Sequence, residues 1–288
     1  MNSYFKNSEV KKEALLLYYS KLNALNIEHQ ILNIETSFGN TNIIATGNKN
    51  NKPLVLVHGT NGCAPLALEA FGNLSNKFRV FAVDVVGQPN LSDENRPDMS
   101  GLDYGKWMYE IISRLNIYEV YLVGISFGGF ISLKTLVYDD RRIVKAFLIA
   151  PAGVINGNPL TTWYSVFLPL KLYKWTKNTK FLNRFLKTLF SYNDAFALKF
   201  LALIFLNYNI DFSTIPLITS QDVKKIKTPI YFFTAENDVL FPGGKMEKKV
   251  RCIFKSLKNF TVFKNAKHVL SQEDNNKIIE FILKSKLQ

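Results

Sequence analysis

Short apolar runs alternate with amphipathic stretches along most of the chain, and this alternation predicts its secondary structure. An amphipathic helix is predicted over residues 9–25, and the last helix over residues 273–284. A capping pattern at residues 219–222 predicts a further short helix over residues 222–226. Eight apolar runs predict strands over residues 31–36, 42–46, 54–57, 79–83, 120–123, 145–149, 230–233 and 260–263. The first two form an opening hairpin, and the others alternate with helices, so we expect an α/β fold with an eight-stranded, mostly parallel sheet and helices on both faces.

Residues 152–218 interrupt this alternation. Two of their segments, 163–170 and 195–206, are apolar and aromatic on several sides, so other parts of the protein must cover them. We therefore predict a helical lid insertion over residues 152–218, between a first core part, 1–151, and a second, 219–288. We expect these apolar segments to pack on one another and on the edge of the sheet, and also to roof an apolar pocket.

The pentapeptide Gly124-Ile125-Ser126-Phe127-Gly128 follows one predicted strand and precedes a stretch with helical spacing. At such a corner the Gly-x-Ser-x-Gly pattern holds the serine in strained backbone and lifts its hydroxyl clear of the sheet. Glycine is needed at positions 124 and 128 because a Cβ there would collide with the neighbouring strand or helix. An ordinary glycine-rich turn is the alternative, but the strand-to-helix context favours Ser126 as an exposed nucleophile.

A serine nucleophile needs a histidine that takes its proton, and the chain contains only His29, His58 and His268. His29 lies in an N-terminal segment ahead of the predicted sheet core, and His58 belongs to another motif. His268 follows the last predicted strand, which places it on a loop at the carboxyl end of that strand. We identify His268 as the candidate general base; the alternative is a surface histidine without a task.

The histidine in turn needs a carboxylate to orient it, and two acids follow the predicted strand 230–233. Asp238 is the candidate and Glu236 its rival. Asp238 is preferred because the loop must leave the strand before a side chain can turn toward the histidine. The resulting chain order is serine, aspartate, histidine.

Acyl transfer also requires backbone N–H groups that stabilise the developing oxyanion. The predicted strand 54–57 runs into His58-Gly59-Thr60-Asn61-Gly62, a loop whose glycines allow close approach to a reacting carbonyl. We expect the N–H groups of Thr60 and Phe127 to form the oxyanion hole. His58 is expected to brace the loop through hydrogen bonds.

Together these motifs resemble the α/β-hydrolase superfamily, in particular its carboxylesterase-like members with a lid domain. The segments that carry the resemblance, in the order of the family, are His58-Gly59, residues 83–87, residues 124–129, residues 236–242 and His268. The resemblance implies a serine hydrolase that cleaves a carboxylic ester of apolar character through an acyl-enzyme, without a cofactor or metal. It also implies a structural role for Asp84. The sequence departs from the family at Lys267, where relatives often carry glycine, and at residues 272–274, which replace an acidic-proline pair.

Several functions remain open on the same residues. A thioesterase, lactonase, amidase or acyltransferase would use the same triad. A non-catalytic small-molecule binding protein on the same fold is the hypothesis from a different class.

The chain of 288 residues is 47% hydrophobic, enough for a large core, and carries a net charge of +13. Its lysines are dispersed and no nucleic-acid-binding signature accompanies them, so no nucleic-acid partner is predicted. Two local clusters are interpreted as solvated faces: Lys171, Lys174, Lys177 and Lys180 in the lid, and Lys224, Lys225 and Lys227 outside it. A second hypothesis for the lid cluster is that it steers an acidic substrate or contacts anionic lipid. The number of subunits is left open.

The longest apolar run, 195–206, is interrupted by Lys199 and is shorter than the ~20 residues that span a bilayer. Residues 14–19 are too short an apolar core for a secretory signal. A cytoplasmic protein without a transmembrane segment is therefore expected, with peripheral membrane contact as a hypothesis. The two cysteines, Cys63 and Cys252, are far apart in sequence and are expected to be buried thiols.

Overall fold

A computed structural model describes residues 3–285, and a single eight-stranded sheet dominates that range. The strands are β1 His29–Thr36, β2 Gly39–Thr46, β3 Pro53–Val57, β4 Arg79–Val83, β5 Val120–Ile125, β6 Ile143–Ile149, β7 Ile230–Ala235 and β8 Leu257–Phe263. The α-helices are α1 Ser8–Ala24, α2 Ala64–Phe71, α3 Asp103–Arg114, α4 Phe127–Tyr138, α5 Pro159–Thr162, α6 Leu168–Thr176, α7 Thr179–Leu189, α8 Ala195–Asn207, α9 Ser220–Val223, α10 Gly243–Ile253 and α11 Gln272–Ser285. A 3₁₀ turn follows α2 at Gly72–Asn76, and a π-turn at Trp163–Phe167 joins α5 to α6.

The strand order across the sheet is β1-β2-β4-β3-β5-β6-β7-β8. β2 pairs antiparallel with both β1 and β4, and all other pairs are parallel. The predicted hairpin and the predicted mostly parallel, eight-stranded sheet are therefore confirmed. The parallel register aligns the carboxyl ends: Val57 lies beside Gly124, Ile149 beside Phe233, and Ala235 beside Phe263. The loops after β3, β5, β7 and β8 consequently meet at one edge.

Apolar layers cover both faces of the sheet, as predicted. On one face, α3 and α4 pack around fully buried Trp107 and Phe130. On the other, α2 and α11 pack around residues such as Phe71 and Ile278. Because the central strands are covered on both sides, their sequences are continuous apolar runs rather than alternating ones.

Between β6 and α9 the chain forms four helices, α5 to α8, and the last three of them share an apolar cluster of their own. Leu182 and Ile204 are fully buried in this cluster, and Phe200 nearly so. Phe5 and Leu17, from the N-terminal segment, join the same cluster. Mutual packing thus covers the apolar sides of these helices, while α1 holds them against the rest of the molecule.

Some expectations for individual elements are wrong. The helix predicted over residues 222–226 is α9, Ser220–Val223, because Thr219 is its N-cap and forms a reciprocal capping box with Asp222 inside the first turn. His29 does not precede the sheet; it opens β1. Cys63 is buried as expected, but Cys252 lies exposed on α10. Across residues 3–285, no helix is both long and apolar enough to cross a membrane.

Candidate active site

Ser126 lies at the corner between β5 and α4 in the left-handed backbone region, with φ 53° and ψ −111°. Few side chains adopt such a conformation without compensation from their surroundings. A Cβ on Gly128 would lie 2.2 Å from the carbonyl oxygen of Val57, and one on Gly124 would lie 2.4 Å from the carbonyl oxygen of Gly128. Both glycines are therefore required by close backbone approach, as the sequence predicted. The corner lifts the Ser126 hydroxyl above the carboxyl edge of the sheet.

The side chains of Ser126, His268 and Asp238 form one chain of hydrogen bonds. His268 Nε2 lies 2.9 Å from Ser126 Oγ, and His268 Nδ1 lies 2.7 Å from Asp238 Oδ2. Asp238 is 2% exposed and His268 is 9% exposed. With the proton on Nδ1, the ring donates to the carboxylate and leaves Nε2 as the acceptor for the serine proton. The structure thus brings together the three side chains that the sequence singled out.

Asp238 is held as a buried carboxylate. Burial alone raises the pKa of this group, but the facing His268 ring and the N–H groups of Leu240 and Phe241 outweigh that effect and lower the pKa below its ordinary value. Both N–H groups donate to Oδ1, at 2.8 and 3.0 Å, which leaves Oδ2 for the histidine. The rival acid, Glu236, is exposed and instead accepts the N–H of Asn265 at 2.9 Å.

The loop after β3 places Gly59 against the nucleophile, where an added Cβ would lie 3.2 Å from Ser126 Cβ. A turn closed by Gly62 N–H and Gly59 O, at 3.1 Å, shapes this loop. Within the described chain, the N–H groups of Thr60 and Phe127 make no hydrogen bond to another residue. They are therefore available at the sites where the oxyanion hole is predicted.

Gln88 is a residue of this loop region that the sequence analysis missed. Its side-chain oxygen accepts the N–H of Asn61 at 2.7 Å and so fixes the loop next to Thr60. The side chain of Gln88 is 7% exposed. In the sequence, Gln88 is one position beyond the segment 83–87 that carried the family resemblance. Its position after a buried strand was a signal, but only the folded loop shows what it contacts.

His58 braces this loop from inside. Its Nδ1 donates to the carbonyl of Gly59 at 2.8 Å, and its Nε2 accepts the N–H of Val85 at 3.0 Å. Burial lowers the pKa of His58 to about 4, so the ring is neutral near pH 7. The expectation of a bracing role agrees with these contacts.

Asp84 lies beneath the site in a fully buried polar network. Its carboxylate accepts from Ala64 N–H at 2.6 Å, Asn42 Nδ2 at 2.8 Å and the Tyr18 hydroxyl at 2.9 Å. Burial raises the pKa of Asp84 to about 6 despite these donors. The network joins α1, β2 and the start of α2, and it does not reach Ser126, so its contacts are structural.

The histidine loop is joined on both sides of His268 to the end of α7 and the residues that follow it. Ahead of it, the N–H of Lys267 donates to Ser191 Oγ at 2.9 Å. After it, Val269 exchanges two backbone hydrogen bonds with the end of α7, donating to Leu189 O at 2.8 Å and accepting from Ser191 N at 2.9 Å. The segment that follows α7 therefore helps to hold the candidate base in place.

A cavity of about 660 Å³ opens above Ser126 and His268. The π-turn and helices α6 to α8 supply much of its apolar lining, including Val166, Phe167, Leu170, Phe185, Phe200 and Phe205. Leu66 and Phe241, from the α/β core, line it from below. Such a cavity accommodates an apolar group next to the serine hydroxyl. Within residues 3–285, no group of three or more His, Cys, Asp or Glu side chains is placed to hold a metal ion.

Comparisons with known proteins agree with this architecture. Residues 52–179 match the family model of the alpha/beta hydrolase fold. The uncharacterized carboxylesterase Nap of Bacillus subtilis is 25% identical over 266 residues, which cover 87% of this chain and 84% of that protein. Carboxylesterase YbfK of the same organism is 24% identical, with 92% of each chain covered. The crystal structure of naproxen esterase from Bacillus subtilis superposes with a TM-score of 0.82 at 22% identity, covering 96% of this chain and 98% of that one. The chain therefore has the α/β-hydrolase fold and is similar to carboxylesterases over most of its length.

Proposed function

We propose that the protein is a serine carboxylesterase that cleaves esters with an apolar acyl or alcohol part through an acyl-enzyme. The observation that carries this proposal is the hydrogen-bonded chain from Ser126 Oγ through His268 to Asp238 Oδ2, with bonds of 2.9 and 2.7 Å. Similarity to carboxylesterases over nearly the whole chain supports the ester as substrate class.

Each residue has a role that its position supports. Ser126 Oγ attacks the ester carbonyl while its proton passes to His268 Nε2, and Asp238 stabilises the imidazolium that forms. The N–H groups of Thr60 and Phe127 donate to the oxyanion of the tetrahedral intermediate. His268 then gives its proton to the departing alcohol, which leaves the acyl group on Ser126.

The second half of the reaction reuses the same groups. A water molecule gives a proton to His268 as its oxygen attacks the acyl carbon, and the proton returns to Ser126 as the carboxylic acid departs. No step needs a redox or metal cofactor, since only protons and the acyl group are transferred.

The apolar cavity supports an apolar substrate, and we assign residues 152–218 as the lid domain that forms its roof. The α/β core is then formed by the predicted parts 1–151 and 219–288, of which the structure describes residues 3–151 and 219–285. Excluding bulk water from the site strengthens the hydrogen bonds to the developing charge.

The test is hydrolysis of p-nitrophenyl esters of increasing acyl length by the wild type and Ser126→Ala. We expect kcat to fall by about 10⁴-fold or more in the variant, because the nucleophile is lost. A matched control is Ser20→Ala, on the exposed side of α1, which keeps wild-type activity. Covalent labelling by a fluorophosphonate probe is expected in the wild type and the control, but not in Ser126→Ala.

Serine-independent hydrolysis, or a wild type that neither turns over esters nor reacts with the probe, would contradict the proposal. Matched thioester, lactone and amide substrates in the same assay separate the remaining acyl-transfer activities. The largest kcat/KM among them identifies the substrate class, and an ester is the expected one.

A further inference from the structure

The outer side of the insertion exposes large apolar side chains. α5, the π-turn and α6 follow one another without a break, from Pro159 to Thr176. The exposed fractions along this stretch are 70% for Leu160, 42% for Trp163, 58% for Tyr164 and 83% for Trp175. Tryptophan is one of the most strongly buried residue types on average, so a side chain as exposed as Trp175 calls for an explanation.

The exposed side chains are not needed to pack this helical stretch against the rest of the protein. Its inner side already supplies Val166, Leu170 and Tyr173 to the apolar cluster of the insertion. Tyr173 also donates its hydroxyl to the carbonyl of Ala202 on α8, at 3.2 Å. The stretch is therefore anchored from inside, and its outer apolar side chains face solvent.

Cationic side chains interleave with these aromatic rings. Lys171 Nζ lies 4.7 Å from the ring centroid of Trp163, and Lys174 Nζ lies 5.3 Å from that of Phe212. Residues 159–190 contain six lysines and arginines and no aspartate or glutamate. The charge here is thus of one sign, without acidic partners within the segment.

The same surface borders the substrate cavity. Trp163, Phe167 and Phe212 line the cavity above Ser126, and neighbouring ring centroids among them are 6.3 Å apart. The lysines that contact Trp163 and Phe212 therefore lie beside the wall of the cavity. A molecule bound to this surface would lie next to the opening of the site.

We propose that this surface docks the protein on a bilayer that contains anionic phospholipid. We define the aromatic-lysine face as Leu160, Trp163, Tyr164, Lys171, Lys174 and Trp175. Tryptophan, tyrosine and lysine together are the residues that favour the boundary between lipid headgroups and acyl chains. The lysines pair with lipid phosphates, and the rings enter the headgroup region.

The positive charge of the aromatic-lysine face, together with its apolar side chains, distinguishes a bilayer from two other possible partners, a second copy of the chain and a nucleic acid. A second copy of the chain would bring two faces of the same positive sign together, which repel. Nucleic acid would satisfy the lysines, but it offers no apolar phase for Leu160 or for the rings at the cavity wall. Only a bilayer supplies an anionic surface and an apolar layer a few ångströms beneath it.

Binding to the bilayer involves no bond breaking, so membrane binding is tested independently of the proposed function. The experiment is flotation of the full chain carrying Ser126→Ala with vesicles of phosphatidylcholine alone or of equimolar phosphatidylcholine and phosphatidylglycerol. We expect at least about tenfold stronger partitioning onto the anionic vesicles, lost at about 1 M NaCl, where the Debye length falls to about 3 Å.

Two variants test the face itself, each with a matched control. Lys171→Glu with Lys174→Glu should weaken partitioning at least about tenfold, whereas Lys224→Glu with Lys225→Glu, an equal change of charge outside the insertion, should change it less than about threefold. Trp175→Ser should also weaken partitioning, whereas Tyr118→Ser should not, although Tyr118 is 78% exposed. Circular dichroism verifies that each variant is folded.

Equal partitioning onto neutral and anionic vesicles, or no flotation at all, would overturn the proposal. Equal losses in the test pair and the control pair would also overturn it, because the overall charge of +13 would then account for binding. Tighter binding to a single-stranded oligonucleotide than to the vesicles, or a dimer that Trp175→Ser dissociates, would assign the face to another partner.

Discussion

Replacing Asp238 by asparagine tests the proposed triad most sharply, because the surroundings dictate how the new amide must lie. Oδ1 accepts the N–H groups of Leu240 and Phe241, at 2.8 and 3.0 Å. An amide nitrogen there would face two donors, so the amide oxygen must keep this position. The NH₂ group then takes the place of Oδ2, 2.7 Å from His268 Nδ1.

That arrangement changes the tautomer of His268. An NH₂ group donates, so Nδ1 must become the acceptor and the ring proton moves to Nε2. Nε2, 2.9 Å from Ser126 Oγ, can then no longer accept the serine proton. The wrong tautomer in a serine triad costs about 10⁴-fold in kcat, equivalent to about 5.5 kcal/mol of transition-state stabilisation. Two of the three hydrogen bonds of the side chain keep their direction and the third is reversed, so the fold should be retained.

The assay is steady-state hydrolysis of a p-nitrophenyl ester at pH 7.5, with the unfolding transition of each variant measured in urea. For Asp238→Asn we expect kcat to fall by about 10⁴-fold, whereas KM should change far less. The matched control is Glu236→Gln, which removes the rival carboxylate two residues away and should keep kcat within about twofold. A fall of less than tenfold in Asp238→Asn, or an equal fall in Glu236→Gln, would refute the reasoning.

Three further predictions concern the groups around the triad. Gly128→Ala should abolish folding or activity, since its Cβ would lie 2.2 Å from a backbone carbonyl; soluble protein with wild-type kcat would contradict this. The pKa of Asp84 in the folded protein, about 6, lies above its ordinary 3.8. The contribution of Asp84 to the free energy of unfolding therefore falls as pH rises through that interval. Relative to Asp84→Asn, the wild type should lose about 2 kcal/mol of unfolding free energy between pH 4.5 and 7.5 in urea titrations, and a difference independent of pH would contradict it. Ser191→Ala removes the acceptor of Lys267 N–H beside His268, a hydrogen bond worth about 1 kcal/mol, so kcat should fall about fivefold with KM unchanged; Ser191→Thr should restore it, and equal kcat in all three proteins would refute the positioning role.

Much of the core fold followed from local patterns. Buried strands such as β3 and β5 are short apolar runs, and their alternation with helices restricts the topology to a mainly parallel sheet. Element ends were harder to predict. The start of α9 depends on a capping box at Thr219, which the sequence contains, but the helix begins directly after the cap rather than at its acidic member.

Some residues of the candidate site could likewise be predicted from the sequence, and others could not. Ser126 could be predicted because its strained corner demands glycines at fixed neighbouring positions, a constraint within five residues. His268 and Asp238 could be proposed because few histidines and few suitable acids follow the predicted strands. Gln88 and Ser191 could not, because their contacts with Asn61 and Lys267 join segments that are distant in the chain and have no pattern of their own.

By itself, then, the sequence determined the periodicities of strands and helices, the sharp corner at Ser126 and the order of the polar residues that follow the strands. These depend on interactions between near neighbours, which short stretches of chain encode. The tertiary structure alone decided the separations of Ser126, His268 and Asp238, the cavity lined by α6 to α8, and the exposure of Trp175 beside Lys174. The physical reason is that each of these depends on how the sheet register and the packing of distant helices bring remote side chains to within a few ångströms, or leave them in water.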